Sequence, residues 1–477
     1  MVEHPLSDIL VNSDLIRGNL LAVYHLGLPK QIMSEALPRV TALANRPVSA
    51  PSVPQLAAVI PIGSIVLGAI LFRTYTYEVA PFTWEVVRHF SIFFMACELV
   101  VVWLALRTGL NVRETWRKLA ISDRAALALW FLTFWIGSAL SEQPGYSLIV
   151  AISWPIHLLF GLAIWHHTGR ASLTIEQINR FLGRGLALAL VVMLALTAVH
   201  FANAPAPASL PGGQVFWQGA IPGFLSVRLF GVVVAYAALF GAGMLMVDDG
   251  PGRSKFAVAL LLLGFGALCW SSTRAAVPAF FTALLILPLI TKCHSSPRVW
   301  LTIAITILAA FLLSTFLPAP SNDYGAFSVF GSDAAAAGDV TAGRIDMWRA
   351  TLGAIAERPL IGHGEGSMRW LLDQNTGIHV QPHNILLQLF LHWGAVAACA
   401  ALWLTGRMLL TMVVAAQRCH ALLPYAMVVV AAAIAALFDG ALYYPQMVML
   451  PVAALAFVLG RSASPSLPPQ ARSTPAH

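Results

Sequence analysis

Three arginines and one histidine stand where charge is out of place. Arg228 in GFLSVRLFG and Arg274 in CWSSTRAA each close one end of a long apolar run. An ionised side chain at such a boundary is costly unless it has a partner or a task. Arg344 opens an amphipathic stretch, and His383 precedes a further apolar run in QPHNILLQLF. Guanidinium groups grip phosphate oxygens in a bidentate way that an ammonium does not. An imidazole titrates near neutrality and can take a proton from a hydroxyl. Together these residue types suit an anionic group held at a membrane surface beside a proton transfer. The alternatives are arginines that snorkel from helix ends to water and a histidine that only caps a helix or bonds its loop.

The elements that must hold these groups lie late in the chain. Ile345, Trp348, Leu352 and Ile355 recur at helical spacing while Arg344, Asp346 and Arg349 are polar, which predicts a helix over 341–358. Thr341 is its expected N-cap and Pro359 its stop. PLIGHGEGSMRW follows, with Gly362, Gly364 and Gly366 alternating. Such a loop admits close approach of backbone N–H groups to a ligand, and it is equally what a plain turn looks like. Pro382 breaks any helix before His383, so His383 and Asn384 are expected at a helix N-terminus, where free N–H groups favour anions. Asn384 and Gln388 share one face of that helix. Asp439 in FDGALYYPQ is placed to orient an arginine or meet sugar, beside Tyr443 and Tyr444, residue types that also form interfacial belts. The remaining outer acids, Asp323, Asp333, Asp339, Asp346, Glu365 and Asp373, show no tight cluster in sequence. No metal and no cofactor is called for.

Composition supplies the setting. Of 477 residues 58% are hydrophobic and 10% charged, with mean hydropathy +0.76. A soluble domain carries about 25% charged residues, so this chain is solvated mainly by lipid. Apolar runs of crossing length fall near 55–72, 89–106, 125–141, 147–165, 185–203, 228–247, 256–271, 275–291, 299–317, 385–406, 421–438 and 446–461. They are too long and too evenly apolar for barrel strands. The fold class expected is therefore all-α, a polytopic membrane protein with about 12 transmembrane helices. The first run begins after more than fifty residues, so a cleaved signal peptide is not expected. Basic short loops stay in the cytoplasm. The Arg107–Arg124 connection and the loops near 166–184, 248–255, 292–298 and 407–420 share that side, with both termini. The net charge of +7 follows from these loops and points to no nucleic acid. Arg228, Arg274, Arg344 and His383 then face the other compartment together. The notable charges gather at that face and not at mid-bilayer, and no internal repeat is visible, both of which tell against a transporter. Five cysteines without metal-type spacing read as packing residues.

VRLFG around Arg228, SSTRAA around Arg274, GRIDMWRATLGAIAERPLIGHGEG and PHNILLQLFLHWGAV together resemble the bacterial O-antigen ligase/polymerase superfamily, over roughly residues 220–400. The resemblance implies a bacterial inner-membrane glycosyltransferase with one large periplasmic loop containing short helices. The layout would be a cytoplasmic segment 1–54, helices over 55–317, the loop 318–384, helices over 385–461 and a disordered tail 462–477. The implied donor is a polyprenyl-diphosphate-linked glycan, the polyprenyl expected to be undecaprenyl. The acceptor is a hydroxyl of a second glycan, lipid A-core for a ligase or another lipid-linked repeat for an exopolysaccharide polymerase. Carried over, Arg228 and Arg274 bind diphosphate, Arg344 adds charge or shapes the loop, Asn384, Gly364 and Asp439 join them in binding diphosphate or glycan, and His383, catalytic with Arg274, is the base or positions the acceptor, in a metal-independent inverting transfer. The implied partners are that donor, a glycan or lipid-glycan acceptor, the lipid bilayer and other polysaccharide-assembly proteins. The long pre-membrane segment departs from the compact start usual in the family. A protein-directed oligosaccharyltransferase, a flippase or transporter, and a non-catalytic scaffold are the other readings.

Overall fold

The computed structural model describes residues 53–71, 84–171, 173–203, 221–224, 226–247, 254–317, 344–372 and 381–463. The N-terminal segment, much of the loop 318–384 with Thr341, Asp323, Asp333, Asp339 and Asp373, and the end of the C-terminal tail lie outside the described residues. Every described element is helical, and no strand occurs among them. We number the helices α1 Val53–Leu71, α2 Trp84–Arg107, α3 Val112–Lys118, α4 Ile121–Ala139, α5 Pro144–Ala151, α6 Ser153–Gly169, α7 Ile175–Ala202 and α8 Val227–Val247. Then come α9 Ser254–Trp270, α10 Ala276–Thr291, α11 Pro297–Thr315, α12 Arg344–Glu357, α13 Met368–Leu371, α14 Ile385–Arg418, α15 Leu423–Phe438 and α16 Pro445–Ser462. The twelve apolar runs fall on helices, the run 147–165 on two of them, α5 and α6. Seven helical segments are long and apolar enough to cross a membrane by themselves, or eight if α2 and α3, bent by 86°, form one span. Shorter apolar helices fall at Val59–Leu71, Lys255–Trp270 and Ala276–Thr291.

Local chemistry sets the helix ends. Thr174 and Gln177 form a capping box at α7, and Ser296 caps α11 just before Pro297, each supplying partners for orphaned N–H groups. Helix α8 is the hub, with 94% of its apolar window buried, against 22% for α11. Small residues allow neighbours to approach α8 closely, as helix packing in lipid requires. A Cβ at Gly241 would sit 2.6 Å from the Ala257 carbonyl of α9, and one at Gly243 2.7 Å from Pro424 of α15. On α11 the apolar side chains Leu301, Ile305 and Leu308 are exposed, which suits a lipid-facing helix.

Two expectations change. On α12 the buried side chains are Met347, Thr351 and Ala354, whereas Ile345 and Leu352 are exposed. Apolar side chains at a membrane surface can face lipid, so the stripe alone does not name the protein-facing side. Charge is also not confined to one face. Glu98, midway along α2 and fully buried, meets buried His157 of α6 at 2.7 Å. Both belong to apolar helices, and their mutual bond is what makes such burial tolerable.

Helix α14 is broken at Gly394, whose φ of 69° and ψ of 173° are not helical. The loop after α12 repairs the break. Ala395 N–H donates to the Pro359 carbonyl at 2.7 Å and Val396 N–H to Leu360 at 3.3 Å. In return His363 and Gly364 donate to the Leu391 and His392 carbonyls, both at 2.9 Å. Gly362, at φ +69°, faces Gly394 so closely that a Cβ on either would fall within 2.5 Å of the other's backbone nitrogen. The glycines of the loop thus serve an interlock between backbones, as helix breaks in membranes require.

Candidate functional site

The break leaves a short helical piece, Ile385 to Trp393, clamped at its C-terminal end by the Pro359–Gly364 loop. Its N-terminal end carries the histidine. Asn384 caps the helix, its Oδ1 accepting from Leu386 and Leu387 N–H at 3.0 and 3.1 Å, and its Nδ2 donates to the Leu437 carbonyl at 3.1 Å. Two of the free N–H groups expected at this terminus, those of Leu386 and Leu387, are therefore taken up by Asn384 itself. Trp348 of α12 fixes the turn before it, donating Nε1–H to the Pro382 carbonyl at 2.8 Å. His383 is held between these anchors at φ 52°, in the left-handed region that β-carbon-bearing residues seldom occupy. Strain of that kind persists only where the surroundings impose it.

His383 Nδ1 lies 3.1 Å from Asp439 Oδ1. Asp439, 4% exposed at the C-cap of α15, also accepts from Gly440 N–H at 2.8 Å through Oδ1. Its Oδ2 has no hydrogen-bond partner among the described residues. Burial pushes the Asp439 carboxyl up, but the His383 bond and charge, with the charges of Arg228 and Arg344, outweigh it and hold the group below the usual carboxylate range. Burial lowers the Arg344 guanidinium, Asp439 opposes that, and Arg228 reinforces it. Arg344 also donates to the Phe438 carbonyl at 2.6 Å. Around Asp439 the phenol of Tyr444 is buried and that of Tyr443 half-buried, and desolvation pushes both well up. Tyr444 feels Asp439 and Arg228 and bonds Gln381.

Arg228 opens α8, and Arg274 stands in the turn between α9 and α10. That turn lies against the first turns of α8. A Cβ on Gly231 would collide with the Thr273 hydroxyl, and Phe230 meets Trp270 edge-on at 6.4 Å. Arg274 is exposed and Arg228 half-buried. Arg228, Arg344, His383 and Asp439 are thus brought together, with Arg274 on the neighbouring turn at the same end of α8. Gly364 is set back from them. Its N–H is bonded to His392, and at φ +92° its α-carbon packs against Ser141.

A second acid–histidine group lies behind the tyrosines and was not singled out by sequence reading. Glu365, 2% exposed, accepts from Trp393 Nε1–H at 2.6 Å and lies 3.3 Å from buried His392. Its charge reaches Tyr443. The available signal was a histidine inside an apolar run, FLHWG, the same signal carried by Glu98 and His157.

Several of these residues lie in a segment with a recognisable family. The O-antigen ligase family model matches residues 259–402, which takes in Arg274, Arg344, Gly364, His383 and Asn384 and leaves Arg228 and Asp439 outside. No curated protein matches the chain. The chain thus joins a set of apolar helices long enough to cross a membrane to a segment, residues 259–402, that is similar to the O-antigen ligase family.

Proposed function

We propose that this protein is an O-antigen ligase that moves a glycan from a polyprenyl diphosphate to a hydroxyl of lipid A-core, on the periplasmic face of the bacterial inner membrane. The observation that carries the reading is the convergence on Asp439: His383 bonded to it, with Arg228 and Arg344 acting on it from two other helices. A buried carboxylate ringed by cations, with one oxygen unpartnered, sits where an anionic donor and a hydroxyl acceptor would meet. The single large outer loop favours a lipid A-core acceptor over a second lipid-linked repeat. Basic short loops favour cytoplasmic termini.

The chemistry follows from the groups present. Asp439 bonds His383 on the Nδ1 side, which orients the ring so that its deprotonated form would take the acceptor's proton on Nε2. The acceptor oxygen then bonds to the anomeric carbon as the bond from that carbon to the phosphate oxygen breaks. Attack from the side opposite the leaving group inverts the centre. The electron pair departs on the diphosphate, where Arg228, Arg274 and Arg344 stabilise the growing negative charge. Diphosphate is already a good leaving group, so the transfer needs no nucleotide. The proton on His383 is returned to water between turnovers.

The test is complementation of a strain lacking the gene with His383→Ala, Arg228→Ala and Arg274→Ala, each checked for membrane expression, followed by gel analysis of envelope and secreted glycan. Full-length chains left on the lipid carrier support ligation. Single repeats left on the carrier assign a polymerase instead. Wild-type glycan from all three variants would sink the catalytic reading.

A further inference from the structure

The two tyrosines beside Asp439 are the inner end of a line of rings. Tyr444 meets Tyr443 edge-on at 5.3 Å. The phenol of Tyr443 interacts with that of Tyr146, in the first turn of α5. Tyr146 in turn meets Trp370 of α13 edge-on at 5.8 Å, and the Arg369 guanidinium stands 5.6 Å from the Tyr146 ring centre. The third glycine of the loop after α12 serves this line. Gly366 has φ +73°, and a Cβ there would fall 2.8 Å from the Tyr146 ring, so its bare backbone lets α13 close on Tyr146. Buried Glu365 acts through its charge on both Tyr146 and Tyr443. Tyr444 is buried, whereas Tyr443, Tyr146, Arg369 and Trp370 are half-buried. The line thus runs from the carboxylate of Asp439 toward the surface, drawn from three separate stretches of chain.

An interfacial belt is arranged differently, with amphipathic rings set around the bundle at headgroup level. Here the rings touch one another and lead inward to a buried acid. The buried Nε1 of Trp370 has no hydrogen-bond partner among the described residues, which leaves a donor for a ligand to meet. A pyranose has a face of C–H bonds and a rim of hydroxyls. The face packs on an aromatic ring, and the rim suits phenol, indole N–H and guanidinium groups. We propose that this line is a glycan track, along which the sugars beyond the reacting one lie on Tyr443, Tyr146 and Trp370 while Arg369 meets hydroxyls or an acidic substituent. The proposal rests on the transfer site assigned above and extends it from the reacting atoms to the chain behind them. The ring-to-ring steps of 5.3 and 5.8 Å are comparable with the advance of a glycan per sugar. The same ring chemistry serves the rest of the donor glycan or the acceptor core, and binding separates the two.

Both glycans can be offered to the full protein in nanodiscs without their lipids: the chain released from its carrier by mild acid, and the core oligosaccharide freed of lipid A. Surface plasmon resonance reads binding without requiring turnover, on variants matched to wild type in melting temperature. Trp370→Ala should weaken binding of one of the two glycans about tenfold. Trp370→Phe keeps a ring and should stay within about threefold of wild type. Arg369→Ala leaves every ring in place and should weaken the same glycan about fivefold. Trp103→Ala removes an exposed tryptophan beside Arg107 and should change nothing. A loss confined to the released chain assigns the track to the donor, and one confined to the core assigns it to the acceptor. No binding of either glycan to wild type, or equal binding by wild type, Trp370→Ala and Arg369→Ala, would overturn the proposal. Binding that depends on Trp370 in a protein that transfers no glycan would instead retain the track and remove the transferase reading.

Discussion

The two ends of the helix bundle use the same residue types in opposite ways. At the basic end several cations have a local partner. Arg170 bonds the Thr108 carbonyl, Arg461 the Ala171 carbonyl at 3.2 Å, and Arg407 pairs with Asp123 at 3.1 Å. There Asn179 closes the start of α15 on the Ala421 carbonyl at 2.8 Å. These are helix-end ties, each made to its own carbonyl or acid. At the other end Arg228, Arg344 and His383 share one buried carboxylate with an oxygen left over. An arginine at a helix end therefore says little. Several charges focused on one buried acid are what mark a site.

The buried Glu98–His157 pair sharpens the contrast, because it is an acid–histidine pair on which no arginine converges among the described residues. If the focus of charge is what separates a site from a tie, this pair holds α2 to α6 and no more. Glu98→Ala leaves His157 buried without its partner and should cost about 3–5 kcal/mol, the largest effect expected. It would be read as loss of folded protein in a detergent melting series, with transfer per folded molecule unchanged. A specific loss of transfer in the folded fraction would move this pair into the machinery and break the comparison.

Asp439→Asn keeps the shape and removes the shared charge. Transfer should fall about 100-fold, equivalent to roughly 2.7 kcal/mol, with membrane expression retained. The pH dependence has a definite sign. Because the folded group titrates below its ordinary value, its ionised form stabilises the fold. That contribution is complete above the unfolded value of about 3.9 and is lost as pH falls toward the folded one. Wild type should therefore lose melting temperature below about pH 4 more steeply than Asp439→Asn. Parallel curves for the two proteins would remove Asp439 as the charge on which the cations converge.

How much of this was legible beforehand differs by element. The apolar runs read as helices because lipid leaves no alternative to internal bonding, though seven or eight segments among the described residues, and not twelve, are long and apolar enough to cross a membrane. His383 and Asn384 were placed at a helix start by Pro382, and Asn384 is the cap. The Asp439–His383 contact joins residues 56 positions apart, and no periodicity encodes a pairing of that kind. Gly362 and Gly364 were visible as permissive residues, yet their partner, a break at Gly394 in an otherwise apolar helix, was not. A lone glycine in an apolar run has the same sequence whether the helix continues or stops. Ile345 and Leu352 misled because lipid and protein core attract the same side chains.

The smallest effect is expected at the basic end, and it completes the contrast. Arg407 is 45% exposed on its side chain, and its ion pair with Asp123 is screened by water and salt. Arg407→Gln should change stability by no more than about 0.5 kcal/mol and leave transfer within about twofold, a spread typical of surface substitutions. The same exchange at Arg228 removes a charge focused on a buried carboxylate, so the two glutamine variants, compared in one transfer assay, put the two ends side by side. If Arg407→Gln lowers transfer as far as Arg228→Gln does, position at a helix end, and not focus on Asp439, is what the arginines of this protein have in common.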